Sequence, residues 1–169
     1  MLRRKMVLAL PLLVLAACTG VPAGIGPDGL PLPSAFIISD AEAAQIPFRM
    51  LDGLNALRQA SGAGQLVLDA QLNAAAATQS RDMALQNRPW HFGSDGSSPI
   101  DRLNRVGYVG NLVGETISET YESDLETLAA WMALTATRDV ILDPAATRMG
   151  IAWFQEQSGK IWWTMVLAN

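Results

Sequence analysis

One histidine and one glutamate carry most of the chemistry that this sequence offers. His91 is the only histidine among the 169 residues, and it stands in the aromatic segment Pro89-Trp90-His91-Phe92. Glu115 lies in an apolar stretch with the composition of a β-strand. A buried carboxylate needs a partner, and His91 is the obvious one. Such a pair can transfer protons or help to bind a metal ion. The simpler alternative is that His91 only forms hydrogen bonds with the backbone.

A nucleophile beside His91 would extend this chemistry to hydrolysis through a covalent intermediate. Ser94, Ser97 and Ser98 are close to His91 in the sequence. They lie in a loop rich in glycine and serine, which is a common composition and not that of a nucleophile elbow. Glu115 has the chemistry to orient the histidine of a triad. Two classes of function therefore stay open: a hydrolase and a non-catalytic binding module.

The first eighteen residues predict export and attachment of a lipid. Arg3, Arg4 and Lys5 precede an apolar run over residues 6–17. This run is shorter than the roughly 20 residues that span a bilayer, and it is typical of a signal peptide. It ends in Leu15-Ala16-Ala17-Cys18. This ending resembles the lipobox of bacterial lipoproteins, in which the cysteine receives a diacylglyceryl group and becomes the mature N-terminus. The alternative is an ordinary signal peptide that has a cysteine near its end.

Cys18 is the only cysteine of the chain, so no intramolecular disulfide bond can form. Lipid attachment would also remove a reactive thiol from an exported protein. We therefore predict a signal peptide over residues 1–17 and a lipid anchor at Cys18. The predicted location is the cell envelope, with the membrane as a partner through the lipid. Thr19 replaces the aspartate that tends to retain lipoproteins in the inner membrane, which favours the outer membrane in a Gram-negative source.

The charge of the chain argues against nucleic acid as a partner. Three of the 12 basic residues lie in the predicted signal peptide, whereas none of the 16 acidic residues precedes Cys18. The remaining 9 basic and 16 acidic side chains give the mature protein a net charge of about −7. A phosphate backbone requires a basic surface, which this composition does not provide.

The pattern of elements predicts one α+β domain behind a short tether. Residues 18–39 are rich in proline and glycine and are interpreted as the tether, although residues 36–38 are apolar enough to dock on the domain. The domain is predicted over residues 40–169. We expect helices starting at Asp40, Asp69, Ser98 and Ser123, the last continuing to about Thr135, and strands over residues 111–118, 148–155 and 160–168. Helices that precede a closing hairpin favour α+β layering.

Several motifs, in one order along the chain, resemble the CAP superfamily of cysteine-rich secretory, antigen 5 and pathogenesis-related proteins. The central motif is residues 91–96, then Arg102, then Gly107-Tyr108 and Gly114-Glu115-Thr116-Ile117. Residues 55–58 and 66–72 precede it, and Trp131-Met132, Arg138 and residues 150–152 follow. The similarity runs from about residue 48 to the C-terminus. It implies an α-β-α sandwich with an antiparallel sheet between the helices.

The resemblance also implies a cleft, which many members line with two histidines and two glutamates that can hold a divalent metal. By position, His91 is the first histidine, and Glu115 and Glu126 are the glutamates. The bacterial pattern Trp-Met-x-Ser-Pro-Gly-His-Arg has Thr137 at the place of its histidine here. Zinc prefers nitrogen and sulfur ligands, so at most a weak divalent-metal site of His91, Glu115 and Glu126 is expected. For Glu126 the favoured explanation is that it is the capping-box partner of Ser123.

The missing histidine weighs against catalysis in the one site that the resemblance implies. We therefore expect a non-catalytic envelope lipoprotein that binds an unknown lipid, glycan or protein through its altered cleft. No cofactor is expected with certainty. The alternative is a hydrolase that relies on a metal or on His91 and Glu115 for acid-base work. Tyr108 and Trp131 are expected to be packing residues.

Overall fold

The computed structural model describes residues 35–169, in which five helices surround a sheet of four strands. The predicted signal peptide, Cys18 and most of the predicted tether lie outside the described residues. The elements are α1 (Asp40–Ser61), β1 (Val67–Leu68), α2 (Ala70–Gln86), α3 (Pro99–Arg105), β2 (Leu112–Glu119), α4 (Asp124–Ala133), α5 (Thr135–Leu142), β3 (Arg148–Gln155) and β4 (Ile161–Ala168). None of the described helices is long and apolar enough to cross a membrane.

The sheet has the strand order β1-β3-β4-β2. The hairpin of β3 and β4 is antiparallel, and β2 is the antiparallel edge strand on the other side of β4. All eight residues of β4 are buried, as expected for a central strand between two layers of helices. The predicted α-β-α sandwich is confirmed. One difference is β1, a two-residue strand that pairs parallel to β3 and was not predicted from the sequence.

Two hydrophobic clusters lie on opposite faces of the sheet. The first packs α1, α4 and α5 against alternate residues of the hairpin; its largest members are Met50, Leu54, Trp131, Ile141, Met149, Trp163 and Met165. The second packs α2 and α3 against the other face, through Leu72, Ala75, Ala76, Leu103, Ala152, Val166 and Ala168. Side chains alternate between the two faces along each strand. The neighbours Val166 and Leu167 of β4 accordingly belong to different clusters.

Helix α2 lies unusually close to β3 because Gly150 has no side chain. A Cβ atom at Gly150 would overlap the backbone of Leu72 and Asn73. Because the helix and the strand are so close, the Asn73 side chain reaches β3, where its Oδ1 accepts a hydrogen bond from the Ile151 backbone N–H at 2.8 Å. This contact fixes the position of α2, and therefore of the loop that follows it, relative to the sheet.

The helix starts largely follow the sequence prediction. Asp69, Ser98 and Ser123 cap α2, α3 and α4 through their side-chain oxygens. The predicted cap of α1 was one residue late: Ser39 is the N-cap, because it forms a reciprocal capping box with Glu42. Pro47 neither starts nor ends this helix, which runs unbroken from Asp40 to Ser61.

The predicted fourth helix is two helices in the structure. Leu134 has extended backbone angles, φ −97° and ψ 129°, and separates α4 from α5. Leu125 is exposed, and the buried residues of α4 are Asp124, Thr127, Leu128 and Trp131. The break turns α5 towards the edge strand, where the Val140 side chain lies against Gly114.

Residues 36–38 dock on the end of β3 and do not belong to a free tether. The Gln155 side chain donates to the Phe36 carbonyl at 2.7 Å and accepts from the Ile38 N–H at 2.9 Å. Ile38 also packs against the larger hydrophobic cluster. The docking that the sequence left open as an alternative is therefore present.

Candidate functional site

His91 lies in the loop between α2 and α3, and two glutamines of α2 hold this loop. Gln79 Nε2 donates to the Trp90 carbonyl at 2.5 Å, and Gln86 Nε2 donates to the Phe92 carbonyl at 3.1 Å. Both carbonyls flank His91. Its position is therefore set by a helix that is itself fixed on the sheet, and the imidazole is not on a freely moving loop.

Glu115 on the edge strand β2 is the buried centre of the site. It lies opposite Val166 of β4, so its side chain points to the face covered by α2 and α3. Its side chain is only 2% exposed. Oε1 lies 2.9 Å from His91 Nδ1, and Oε2 accepts from Arg102 Nη2 at 2.7 Å. The structure thus brings together the histidine and the carboxylate that the sequence singled out.

Arg102 is the member of the site that sequence reasoning missed. It belongs to the CAP-like motif but was given no role, and its side chain is 1% exposed. Besides Glu115, it donates from Nη2 to the His91 carbonyl at 3.1 Å and from Nη1 to the Ser97 carbonyl at 3.2 Å. A buried guanidinium needs acceptors for its N–H groups, and Glu115 supplies one that also compensates the charge. The sequence around Arg102 gave no sign that it is buried, because Asp101 and Arg105 of the same short helix face the solvent.

The other two positions of the expected cleft are not joined to this site. Glu126 is exposed, and its backbone N–H donates to the Ser123 hydroxyl at 3.2 Å. The side-chain half of the expected capping box is not formed. The Thr137 hydroxyl donates to the backbone carbonyls of Trp131 and Leu134. Both residues belong to α4 and α5, which cover the face of the sheet opposite to the Glu115 side chain.

The residues present do not fit a metal centre. Both oxygens of Glu115 already accept hydrogen bonds within the protein, and one comes from a guanidinium whose positive charge opposes a bound cation. His91 Nδ1 is also engaged. Within residues 35–169, no three side chains among histidine, cysteine, aspartate and glutamate come together as a set of ligands. The expected weak site of His91, Glu115 and Glu126 is not assembled, because Glu126 lies in α4.

Two of the three serines near His91 are bound to carboxylates, and the third is buried. The Ser94 hydroxyl donates to Asp82 at 2.8 Å, and the Ser98 hydroxyl caps α3 through Asp101. Ser97 is buried, and its hydroxyl lies against Gly93. None of these hydroxyls forms a hydrogen bond with His91 in the described part of the chain. The arrangement therefore lacks the nucleophile–base contact of a triad.

A charged turn next to these serines holds the loop in place. Hydrogen bonds from Ser97 and the Arg105 guanidinium hold the pKa of Asp95 well below its usual range. Hydrogen bonds from Ser98 likewise lower the pKa of Asp101. Both carboxylates therefore stay ionised at neutral pH and keep the loop tied to the start of α3.

The α-β-α sandwich and the order of its helices and strands agree with the resemblance of the sequence to CAP proteins. Residues 51–167 match the model of the cysteine-rich secretory protein (CAP) family, and the chain belongs to this family. It is 31% identical over 114 residues to the uncharacterized protein YkwD of Bacillus subtilis, covering 68% of this chain and 44% of that protein. The chain thus spans less than half the length of this relative.

Two solved structures show the same fold at low identity. An outer surface protein of Borrelia burgdorferi has a TM-score of 0.68 at 14% identity, over 74% of this chain and 92% of that one. An extracellular protein of Bacillus anthracis that contains an SCP domain has a TM-score of 0.68 at 20% identity, over 88% of this chain and 45% of that one. At these identities the likeness concerns the fold alone.

Proposed function

We propose that this protein is a cell-envelope lipoprotein whose CAP domain binds an envelope ligand without catalysis, at the surface around His91. The observation that carries the proposal is that the polar groups of the site already bind one another and lack a nucleophile. Both carboxylate oxygens of Glu115 are already hydrogen-bonded, one to His91 and one to Arg102. In the described residues no serine hydroxyl contacts the imidazole. What remains accessible is one edge of the His91 ring, whose side chain is 49% exposed.

The surroundings of His91 suit binding. Phe92 is 46% exposed, and its ring centroid lies 5.5 Å from that of Trp90. The Arg88 guanidinium lies 3.9 Å from the centroid of the Trp90 ring. Aromatic rings beside a polar anchor offer large contact area at a low entropic cost, which is typical of recognition surfaces. A lipid, a glycan or a protein of the envelope fits this description.

Binding can be tested with two defined probes, purified peptidoglycan sacculi and vesicles of envelope phospholipid. The chain from Thr19 onwards, which lacks Cys18 and its lipid, should co-sediment with at least one of them. Phe92→Ala and His91→Gln should reduce the bound fraction several-fold, because they remove the exposed ring and the polar anchor. Phe48→Ala is the matched control, since Phe48 is also exposed but lies on α1. An equal loss for Phe48→Ala, or wild-type binding to neither probe, would contradict the proposed surface.

A hydrolase is the second candidate, and the His91–Glu115 hydrogen bond is the observation that favours it. A carboxylate at Nδ1 leaves Nε2 able to accept a proton from water. In this case wild-type protein incubated with sacculi should release soluble fragments, and His91→Gln should abolish the release. Binding without release supports the non-catalytic proposal.

Attachment to the membrane depends on Cys18 in this proposal. Cys18→Ser should abolish incorporation of a fatty-acid analogue and leave the precursor uncleaved, because the modified thiol is the processing signal. Metabolic labelling followed by gel fluorescence measures both effects. Thr19→Ala is the control and should still be labelled. Equal labelling of the wild type and Cys18→Ser would contradict an anchor at Cys18, and no labelling of the wild type would indicate an ordinary signal peptide. The exported location proposed here agrees with the outer surface protein and the extracellular protein that share this fold.

A further inference from the structure

We propose that Arg102 is a positioning residue that sets the tautomer of His91, so that the site presents a hydrogen-bond acceptor to its ligand. This inference rests on the proposed function only for the identity of the ligand. The arrangement of the three side chains is a property of the free protein and can be measured without any ligand.

Glu115 and Arg102 form a buried pair of opposite charges. The side chains of Glu115 and Arg102 are 2% and 1% exposed, so each is the other's compensating charge. The guanidinium also donates to the backbone carbonyls of His91 and Ser97. One arginine therefore holds both the carboxylate that faces the imidazole and the backbone that carries it. Neither Glu115 nor His91 can turn away without breaking one of these bonds.

The contact with Glu115 determines which nitrogen of the His91 imidazole carries the proton. A carboxylate is only an acceptor of hydrogen bonds, and Glu115 Oε1 lies 2.9 Å from His91 Nδ1. Nδ1 must therefore carry the hydrogen. In the neutral ring Nε2 then has a free lone pair. In the described residues Nε2 has no hydrogen-bond partner within the protein.

The free lone pair of Nε2 determines the kind of ligand that the site can recognise. A lone pair at the edge of a half-exposed ring recognises a hydrogen-bond donor, such as a sugar hydroxyl or an amide N–H. A chelated metal ion is disfavoured, because the guanidinium already occupies the place of the cation beside Glu115. Arg102 thus provides, next to Glu115, a permanent positive charge from the protein itself in place of a metal ion that could dissociate.

The test is nitrogen NMR of the imidazole. Because His91 is the only histidine, labelling with ¹⁵N-histidine gives signals from one ring in the mature lipoprotein, provided that the affinity tag contains no histidine. At about pH 8.5, where an ordinary imidazole is neutral, the two ring nitrogens report the tautomer directly. We expect the Nδ1–H tautomer in the wild type. A free imidazole in water favours the Nε2–H form.

Variants separate positioning from mere folding. Arg102→Met should shift the ring towards the Nε2–H tautomer, and Arg102→Lys should restore much of the Nδ1–H form. Arg105→Met is the matched control: it removes a charge from the same helix that pairs with the exposed Asp95, and the tautomer should not change. If Arg102→Met does not fold, Arg102→Lys and Glu115→Gln carry the test. A wild type in the Nε2–H form, an unchanged tautomer in the folded Arg102→Met protein, or an unchanged tautomer in Glu115→Gln overturns the inference. Neither result depends on whether sacculi or vesicles bind.

Discussion

Replacing Arg58 by methionine is expected to lower the free energy of unfolding by about 3–5 kcal/mol. The Arg58 side chain is buried in the α1, α4 and α5 layer, and burial lowers the pKa of its guanidinium. It donates to the backbone carbonyls of Gly64, Ile141, Asp143 and Ala146, at 2.7 to 2.9 Å. Methionine keeps most of the apolar contact but leaves these buried acceptors without donors.

The matched control is Arg138→Met. Arg138 lies on α5, which Arg58 also contacts, but its contacts to Met132 and Thr135 are longer, at 3.5 and 3.2 Å. This variant should change the free energy of unfolding by less than about 1 kcal/mol. Urea denaturation followed by tryptophan fluorescence measures both. Similar losses for the two variants would mean that Arg58 acts only through its charge, and not as the donor that ties α1 to the end of α5.

Trp131→Ala should destabilise the protein by a similar amount, about 3–5 kcal/mol. Trp131 is 1% exposed in the larger cluster, and its indole N–H donates to the Ile117 carbonyl of the edge strand at 3.1 Å. Alanine removes the ring and leaves that carbonyl without its donor. The expectation from sequence that Trp131 is a packing residue agrees with this position.

Leu125→Ala controls for effects on α4 itself. Leu125 lies on the same helix but is 51% exposed, so its loss should cost less than about 0.5 kcal/mol. The midpoint and slope of urea denaturation separate a loss of stability from a change in the unfolded state. A loss for Trp131→Ala below about 1 kcal/mol would show that the indole is not part of the core.

Elements with strong local signals could be predicted from the sequence. Asp69, Ser98 and Ser123 stand before helical segments and cap them, as expected for short polar side chains with a free acceptor. The hairpin of β3 and β4 combines alternating β-formers with a glycine-containing turn, in which Gly159 has φ 94°. In these cases the information lies within a few residues of the element.

The division between α4 and α5 had no such signal. The resemblance places Ser-Pro-Gly at this point, a sequence that ends a helix, whereas this chain has Leu134-Thr135-Ala136, which is compatible with a continuous helix. The break is maintained by tertiary contacts, including the Thr137 hydroxyl on two backbone carbonyls and Arg58 at the end of α5. The two-residue strand β1 could not be predicted from local sequence either, because the strand with which it pairs lies 81 residues later.

The candidate site could be predicted only in part, because some of its contacts depend on tertiary packing and not on local sequence. His91 and Glu115 stood out because of their rarity and their apolar surroundings, and the structure brings them together. Arg102 did not stand out, because its partner depends on how α3 packs against β2. Glu126 and Thr137 were assigned by position alone, and the fold places their helices on the other face of the sheet.

A zinc titration tests most directly the central claim that Arg102, and not a metal ion, completes this site. Isothermal titration at about pH 7.5, where imidazole ligands are largely deprotonated, compares the wild type with Thr137→His, which introduces a second imidazole at the position where CAP relatives are expected to have one. We expect the two proteins to bind zinc equally weakly, because Thr137 lies in α5 and Glu115 is held by Arg102 on the opposite face. A gain of about tenfold or more in the folded Thr137→His protein, equivalent to about 1.4 kcal/mol, would contradict the account. It would mean that Thr137 faces His91 and that the metal-binding geometry is intact.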